Sequence, residues 1–226
     1  MSLHEIARLW YRALQPSKID GVIKDHKGKA SLKEAMLNVF IASLVLGVAL
    51  VFATVFGLVI FELIWRIFTS FGGVSDNPTI NYMAGLQVEF VAASLGASFA
   101  VLEVPLFPIV FLLIQALQYG LARAFGGKGS FAQQVYFMGL VFGAVVTSSI
   151  LIIIPCAGLL VFVVVAITGQ YTNYRIIRKI HSLSANAAAA VTLISLFIAL
   201  TLYILFWNAV VNVFLALINL IVAYFS

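Results

Sequence analysis

The stretch from Phe125 to Phe131, FGGKGSF, has the residue types of a phosphate cradle: three glycines, a lysine and a serine. Such loops hold phosphate because backbone N–H groups reach an oxyanion where no side chain intervenes, and a lysine neutralises its charge. The Walker form requires G-x-x-x-x-G-K-[ST] after a strand and before a helix. Here Lys128 is followed by Gly129, the position six before it is Ala122, and the preceding run LLIQALQYGLARA is apolar and helical in pattern. Spacing and context exclude a nucleotide loop. What is left is a turn between two apolar helices, whose N–H groups and Lys128 could meet a lipid phosphate.

Ionisable side chains inside apolar runs are the next candidates, because a charge in hydrocarbon is costly and usually functional. Glu62 and Arg66 stand four apart, in the favourable order for an ion pair along a helix. Glu62 lies 26 residues beyond Met36, about 39 Å along a helix, which carries it across a bilayer to the far interface. Glu103 precedes Pro105 at a helix start, where an anion is favoured. Glu89 lies between them in the chain. Gathered around one outward-facing cavity, Glu62, Arg66, Glu89 and Glu103 could serve a small ion or solute transporter; as separate interfacial groups they need no such role.

Metal and nucleophile chemistry find no support. His4, His26 and His181 have no ligand spacing, and Cys156 is the only cysteine. The serines have no nearby base and orienting acid of the kind nucleophilic catalysis uses. The expectation is a non-enzymatic protein with no cofactor and no metal.

The elements that would position these residues follow from composition. Apolar residues make up 63% of the 226-residue chain and charged residues 9%, against roughly 25% charged in a soluble domain. Only an integral membrane protein fits. Five runs are long enough to cross about 30 Å of hydrocarbon. They start near Met36, at Pro105, after Ser130, at Pro155 and near Ala187. Prolines suit first turns, Gly126, Gly127 and Gly129 suit a helix end and tight turn, and Ser130 and Ser184 or Asn186 suit N-caps. Residues 77–102, rich in small side chains, read as an outer helix or re-entrant piece. The last run is long enough either to project or to break near Trp207–Asn208.

Charge gives direction. Seven of the thirteen basic residues precede Glu34: Arg8, Arg12, Lys18, Lys24, Lys27, Lys29 and Lys33. Arg123 and Lys128 lie between the second and third runs, and Arg175, Arg178 and Lys179 between the fourth and fifth. Basic loops alternate with crossings, so the positive-inside rule puts the N-terminus in the cytoplasm and the C-terminus outside. The expected fold is all-α: a polytopic helical bundle with a basic arm over residues 1–34 and five spans over 35–226. In the arm, Leu3, Ile6, Trp10 and Leu14 share one helical face, away from Glu5, Arg8 and Arg12. That pattern predicts an amphipathic helix lying on the cytoplasmic leaflet, and a helix packed on the protein's own loops is the alternative. Arg8, Arg12, Lys18, Lys24, Lys27, Lys29, Lys33, Lys128, Arg175, Arg178 and Lys179 are the residues expected at anionic lipid. No nucleic-acid module accompanies them.

Polar groups within the spans, Gln115, Gln118, Thr147, Ser148 and Ser149, are expected to bond between helices. Gly139 and Gly143 form a GxxxG spacing that permits close packing. Asn208, Asn212 and Asn219 share a face that could meet another subunit or the outer head groups.

Three segments, RALQPSKIDGVIKDHKGKASLKEAM, LARAFGGKGSFAQQVY and YTNYRIIRKIHSLSANAAAA, together resemble the Yip1-domain proteins, in particular the archaeal and bacterial branch, over most of the chain. The resemblance implies an all-helical cell-membrane protein with a cytoplasmic N-terminus. For this branch the resemblance supplies no defined activity; the expected role is scaffolding or membrane-organising, with membrane lipids and a homo-oligomer or related membrane protein as partners. Eukaryotic relatives are associated with trafficking and small GTPases. The GTPase does not carry over: the long cytoplasmic extension is missing, and Val104-Pro105-Leu106-Phe107-Pro108 stands where an Asp-Leu-Tyr-Gly-Pro motif would be.

Overall fold

The computed structural model describes residues 3–70, 104–148 and 157–225. Among these every long element is a helix, and no strand occurs. In chain order they are α1 (Leu3–Leu14), α2 (Ile19–His26) with a 3-10 turn at Lys27–Lys29, α3 (Leu32–Ser70), α4 (Val104–Ala124), α5 (Phe131–Ser148), α6 (Ala157–His181) and α7 (Ala185–Phe225). Helices α3 to α7 are five elements long and apolar enough to cross a membrane. Residues 77–102, with Glu89, lie outside the described residues, as do Glu103, Ser149, Pro155 and Cys156.

Local chemistry sets the helix ends. Ser31 caps α3, its hydroxyl accepting the Glu34 N–H at 3.2 Å, and Ser184 caps α7 by accepting from Ala187 at 3.3 Å. Helix α4 ends in a Schellman turn. The N–H of Gly127 donates to Ala122 O at 2.8 Å and that of Gly126 to Arg123 O at 3.0 Å, with Gly126 at φ 83°. Glycine adopts this left-handed state without a Cβ penalty. Helix α6 closes with the same long bond, Leu183 N–H to Arg178 O at 3.1 Å, but the left-handed residue is Ser182 at φ 55°.

Helix α5 is the central pillar, with nearly every residue from Gln134 to Val146 buried. Small residues let its neighbours approach. A Cβ on Gly139 would stand 3.3 Å from Ala35 O and Val39 Cγ2 of α3, and one on Gly169 of α6 would stand 2.8 Å from Val145 Cγ2. On another side Phe107 and Phe111 of α4 pack on Phe142, with ring centroids 4.8 and 5.4 Å apart. Helix α7 is peripheral, and Leu193, Phe197, Leu200 and Ile204 are exposed along it. Exposed apolar residues also line α3 (Leu37, Phe40, Leu44, Val48) and α6 (Leu160, Val164, Ile167), the surface a bilayer would solvate.

Two helices exceed the hydrocarbon thickness. α3 has 39 residues and α7 has 41, about 58 and 61 Å at 1.5 Å per residue. α7 is continuous through Trp207 and Asn208, so of the two alternatives the single long helix holds and the break does not.

The arm does not place its apolar face on lipid. Ile6, Leu9, Trp10 and Ala13 are buried in the same core as Ala35, Val39, Ala42 and the centre of α5. The reason is a fitted seat. The Trp10 indole lies flat on Gly143, where a Cβ would come within 2.3 Å of Trp10 Cε2. The indole N–H donates to Asn38 Oδ1 at 3.0 Å, and Asn38 in turn donates to Glu34 O at 2.8 Å. A large aromatic gains most where its polar edge also finds a partner, and α5 with α3 supplies both. The amphipathic pattern therefore describes a helix packed on the bundle.

Candidate functional site: a polar seam at the basic end

The α4–α5 loop bonds to the end of α6 at His181, and the arm packs on α6 at Thr172 and Arg175, six to nine residues before that end. Thr172 Oγ1 donates to Leu14 O at 3.0 Å. Arg175 donates to Pro16 O and forms an ion pair with Asp20 at 2.7 Å. Lys128 N–H donates to His181 O at 3.1 Å. Of the thirteen basic residues, all but Arg66 lie on the arm, at the start of α3, on the α4–α5 loop or toward the adjoining ends of α4 and α6.

Beneath this surface runs a seam of buried polar side chains in two branches. In the first, Gln134 Nε2 donates to Gln115 O and Gln115 Oε1, both at 3.0 Å. Gln115 O is a backbone carbonyl and can only accept, so it fixes which way the Gln134 amide points. Gln134 Oε1 then faces His181 Nε2 at 2.9 Å. An amide oxygen accepts, so His181 carries its hydrogen on Nε2. Nδ1, the other ring nitrogen, is buried without a hydrogen-bond partner among the described residues.

In the second branch Gln118 Nε2 donates to Asn173 Oδ1 at 3.1 Å and to Ser195 Oγ at 3.0 Å. The Ser195 hydroxyl passes its own hydrogen to Thr192 O at 3.0 Å. This ties α4, α6 and α7 together. Gln118 Oε1 is left buried and unpaired among the described residues. Gln115 and Gln118 lie one turn apart on α4, so one helix feeds both branches.

The FGGKGSF loop covers the His181 ring. A Cβ on Gly127 would stand 2.9 Å from His181 Cβ and 2.7 Å from Ala122 O; on Gly129 it would stand 2.7 Å from Ile180 O and 2.8 Å from His181 Nδ1. Gly127 and Gly129 thus let the loop lie against its own bundle. Arg123 Nη1 donates to Gly127 O at 3.1 Å, and the Tyr119 ring lies 5.6 Å from that of His181.

The expected interhelical bonding holds for Gln115 and Gln118. It does not hold for Thr147 and Ser148, which bond back to carbonyls of their own helix, Gly143 O and Val145 O at 2.8 and 2.6 Å. Two residues expected at lipid also bond within the protein. Arg175, partly buried, anchors the arm, and Arg12 pairs with Asp25 at 3.6 Å. The reason is proximity: the α1–α2 turn carries Asp20 and Asp25 onto α6 and back toward α1. Arg8, Lys18, Lys24, Lys27, Lys29, Lys33, Lys128, Arg178 and Lys179 are exposed. Glu62 and Arg66 stand on the far part of α3, and the four-residue outer group is incomplete within the described residues.

No sequence pattern points to Gln134, Asn173 or Ser195, and His181 stands out there only as a histidine without ligand spacing. Gln115 and Gln118, three apart on an apolar helix, announced a need for partners without saying where those lay. Among the described residues no group of three or more His, Cys, Asp or Glu side chains is placed to hold a metal. The chain matches no protein-family model, no curated protein and no solved structure.

Proposed function

We propose that this chain is a non-enzymatic, Yip1-type multi-pass protein of the cell membrane that organises membrane or partner proteins through its basic end, with the N-terminus cytoplasmic and the C-terminus outside. One observation carries the reading: all basic residues but Arg66 lie on the arm, the start of α3, the α4–α5 loop and the ends of α4 and α6 beside it, and side-chain and backbone bonds tie both arm and loop to α6. A cationic surface on a membrane protein is drawn to anionic head groups, each nearby Lys or Arg contributing about 1 kcal/mol. The polar seam is the mechanical part of this reading. It holds α4, α5, α6 and α7 in register so that the two basic turns keep their place.

The test uses the full chain reconstituted in bilayers of neutral lipid with a minority of a fluorescent anionic lipid. Enrichment of the anionic lipid at the protein should fall steeply between low and high salt. It should also fall in the variant Lys24→Gln/Lys27→Gln/Lys29→Gln. Equal enrichment of neutral and anionic probes at low salt would sink the lipid part of the proposal.

A further inference from the structure

His181 is fully buried, hydrogen-bonded on one side and bare on the other. The orientation of Gln134 fixes the hydrogen on Nε2, so the neutral ring presents the Nδ1 lone pair to the glycine loop. Nothing in the loop donates to it. The Lys128 N–H goes to His181 O, the Gly127 N–H goes to Ala122 O, and Gly129 presses against the ring with no side chain between.

We infer that the α4–α5 loop is a proton-responsive latch, closed on neutral His181 and released when His181 takes a proton at Nδ1.

The chemistry is one of geometry. A proton on Nδ1 makes a second N–H donor. In the closed loop that donor lies against Gly129 with no acceptor in hydrogen-bonding reach among the described residues, and a buried charged donor without a partner is among the least tolerated groups in a fold. The surroundings do not compensate. From α4 the ring faces Tyr119 and the Arg123 guanidinium, a like charge. From the loop it faces the Lys128 segment. From α5 it faces uncharged Gln134, whose oxygen is already engaged, and α6 adds Arg178 and Lys179 within its last turn. No carboxylate is among its hydrogen-bond or ion-pair partners in the described residues. Swinging Gly127–Gly129 away exposes Nδ1 to water and frees Lys128 and the Arg123–Gly127 bond.

The sign follows from linkage. Only the open loop holds the extra proton, so falling pH favours opening. Below the pH at which the ring of the open loop takes its proton, the open-to-closed ratio rises up to tenfold per pH unit. Above it the latch stays shut. The latch stands independently of the lipid reading, because it is a property of the loop and His181 alone.

The full chain in lipid nanodiscs, with ¹⁵N-labelled histidine, provides the test. At pH 7.5 the His181 ring should be a single tautomer with Nδ1 unprotonated. As pH is lowered, amide protection factors of Gly127 and Lys128 should fall up to tenfold per unit, in step with ring protonation. In His181→Gln, whose amide can still donate to Gln134, the protection should no longer change with pH. A ring protonated on Nδ1 at neutral pH would overturn the inference. So would protection that stays constant while His181 titrates, or a pH response that survives in His181→Gln. The first two readings need only the unmutated chain, so they decide the matter even if the variant does not fold.

Discussion

The sharpest perturbation is Gly143→Ala, read in two backgrounds. In the native chain the new Cβ would lie 2.3, 2.6 and 2.7 Å from Trp10 Cε2, Cδ2 and Cζ2. These are atoms of a rigid bicycle, not the tip of a flexible chain, and the indole is tethered to Asn38 through Nε1, the neighbour of Cε2. The ring must shift as a body. Overpacking of this kind costs about 1–3 kcal/mol, and loss of the Trp10–Asn38 bond adds about 1 kcal/mol. In the Trp10→Ala background the ring is gone. The same substitution then only replaces a helical glycine by alanine, which stabilises by about 0.5–1 kcal/mol. The effect of Gly143→Ala should therefore change sign. Reversible denaturant unfolding of the detergent-solubilised full chain measures both values, and hydrogen exchange over α1 reports whether the arm has lifted. A destabilisation of the same size in both backgrounds would refute the claim that Trp10 is seated on Gly143.

Other expectations follow from the seam and the turns. Gln134→Leu leaves His181 Nε2–H and the Gln115 amide without partners, and should cost about 2–4 kcal/mol in the same unfolding assay, since each buried orphan costs about 1–3. Ser182→Gly removes a non-glycine residue from the left-handed region and should stabilise by about 1 kcal/mol. Gly129→Ala forces a Cβ to within 2.7 Å of Ile180 O and should destabilise, whereas Gly120→Ala, with nothing within 4 Å, should stabilise by a few tenths to 1 kcal/mol. Thermal unfolding of the pair, compared side by side, separates a packing glycine from a spare one.

The spans were legible because their signal is local: long apolar runs, proline starts, glycine ends and serine caps. Ser184 and Gly126 do what their types suggest. The GxxxG pair was legible as close packing but not as to partner. Gly139 receives α3 while Gly143 receives Trp10 of the arm, two different elements on one helix face. The arm shows why a pattern underdetermines a surface. An amphipathic helix has one apolar face, and lipid and a glycine-notched helix compete for it on equal terms until Asn38, twenty-eight residues on, supplies the indole with a partner. The seam was the least legible part. Gln118 and Ser195 are 77 positions apart, and no local pattern links them. FGGKGSF was misleading in an instructive way. Its glycines look suited to a phosphate, yet Gly127 and Gly129 make room for His181 and Ile180 of the chain itself.

The central claim is that the basic arm, the FGGKGSF loop and the α6–α7 turn share one face of the membrane, the cytoplasmic one. Single cysteines at Lys24, Lys128 and Ser184, and separately at Ser226, placed in a Cys156→Ala background, test it directly when probed in intact cells with a membrane-impermeant maleimide. The account predicts that the first three react only after the membrane is opened and that the cysteine at position 226 reacts from outside. Labelling of position 128 or 184 from outside in intact cells, with position 24 protected, would contradict it.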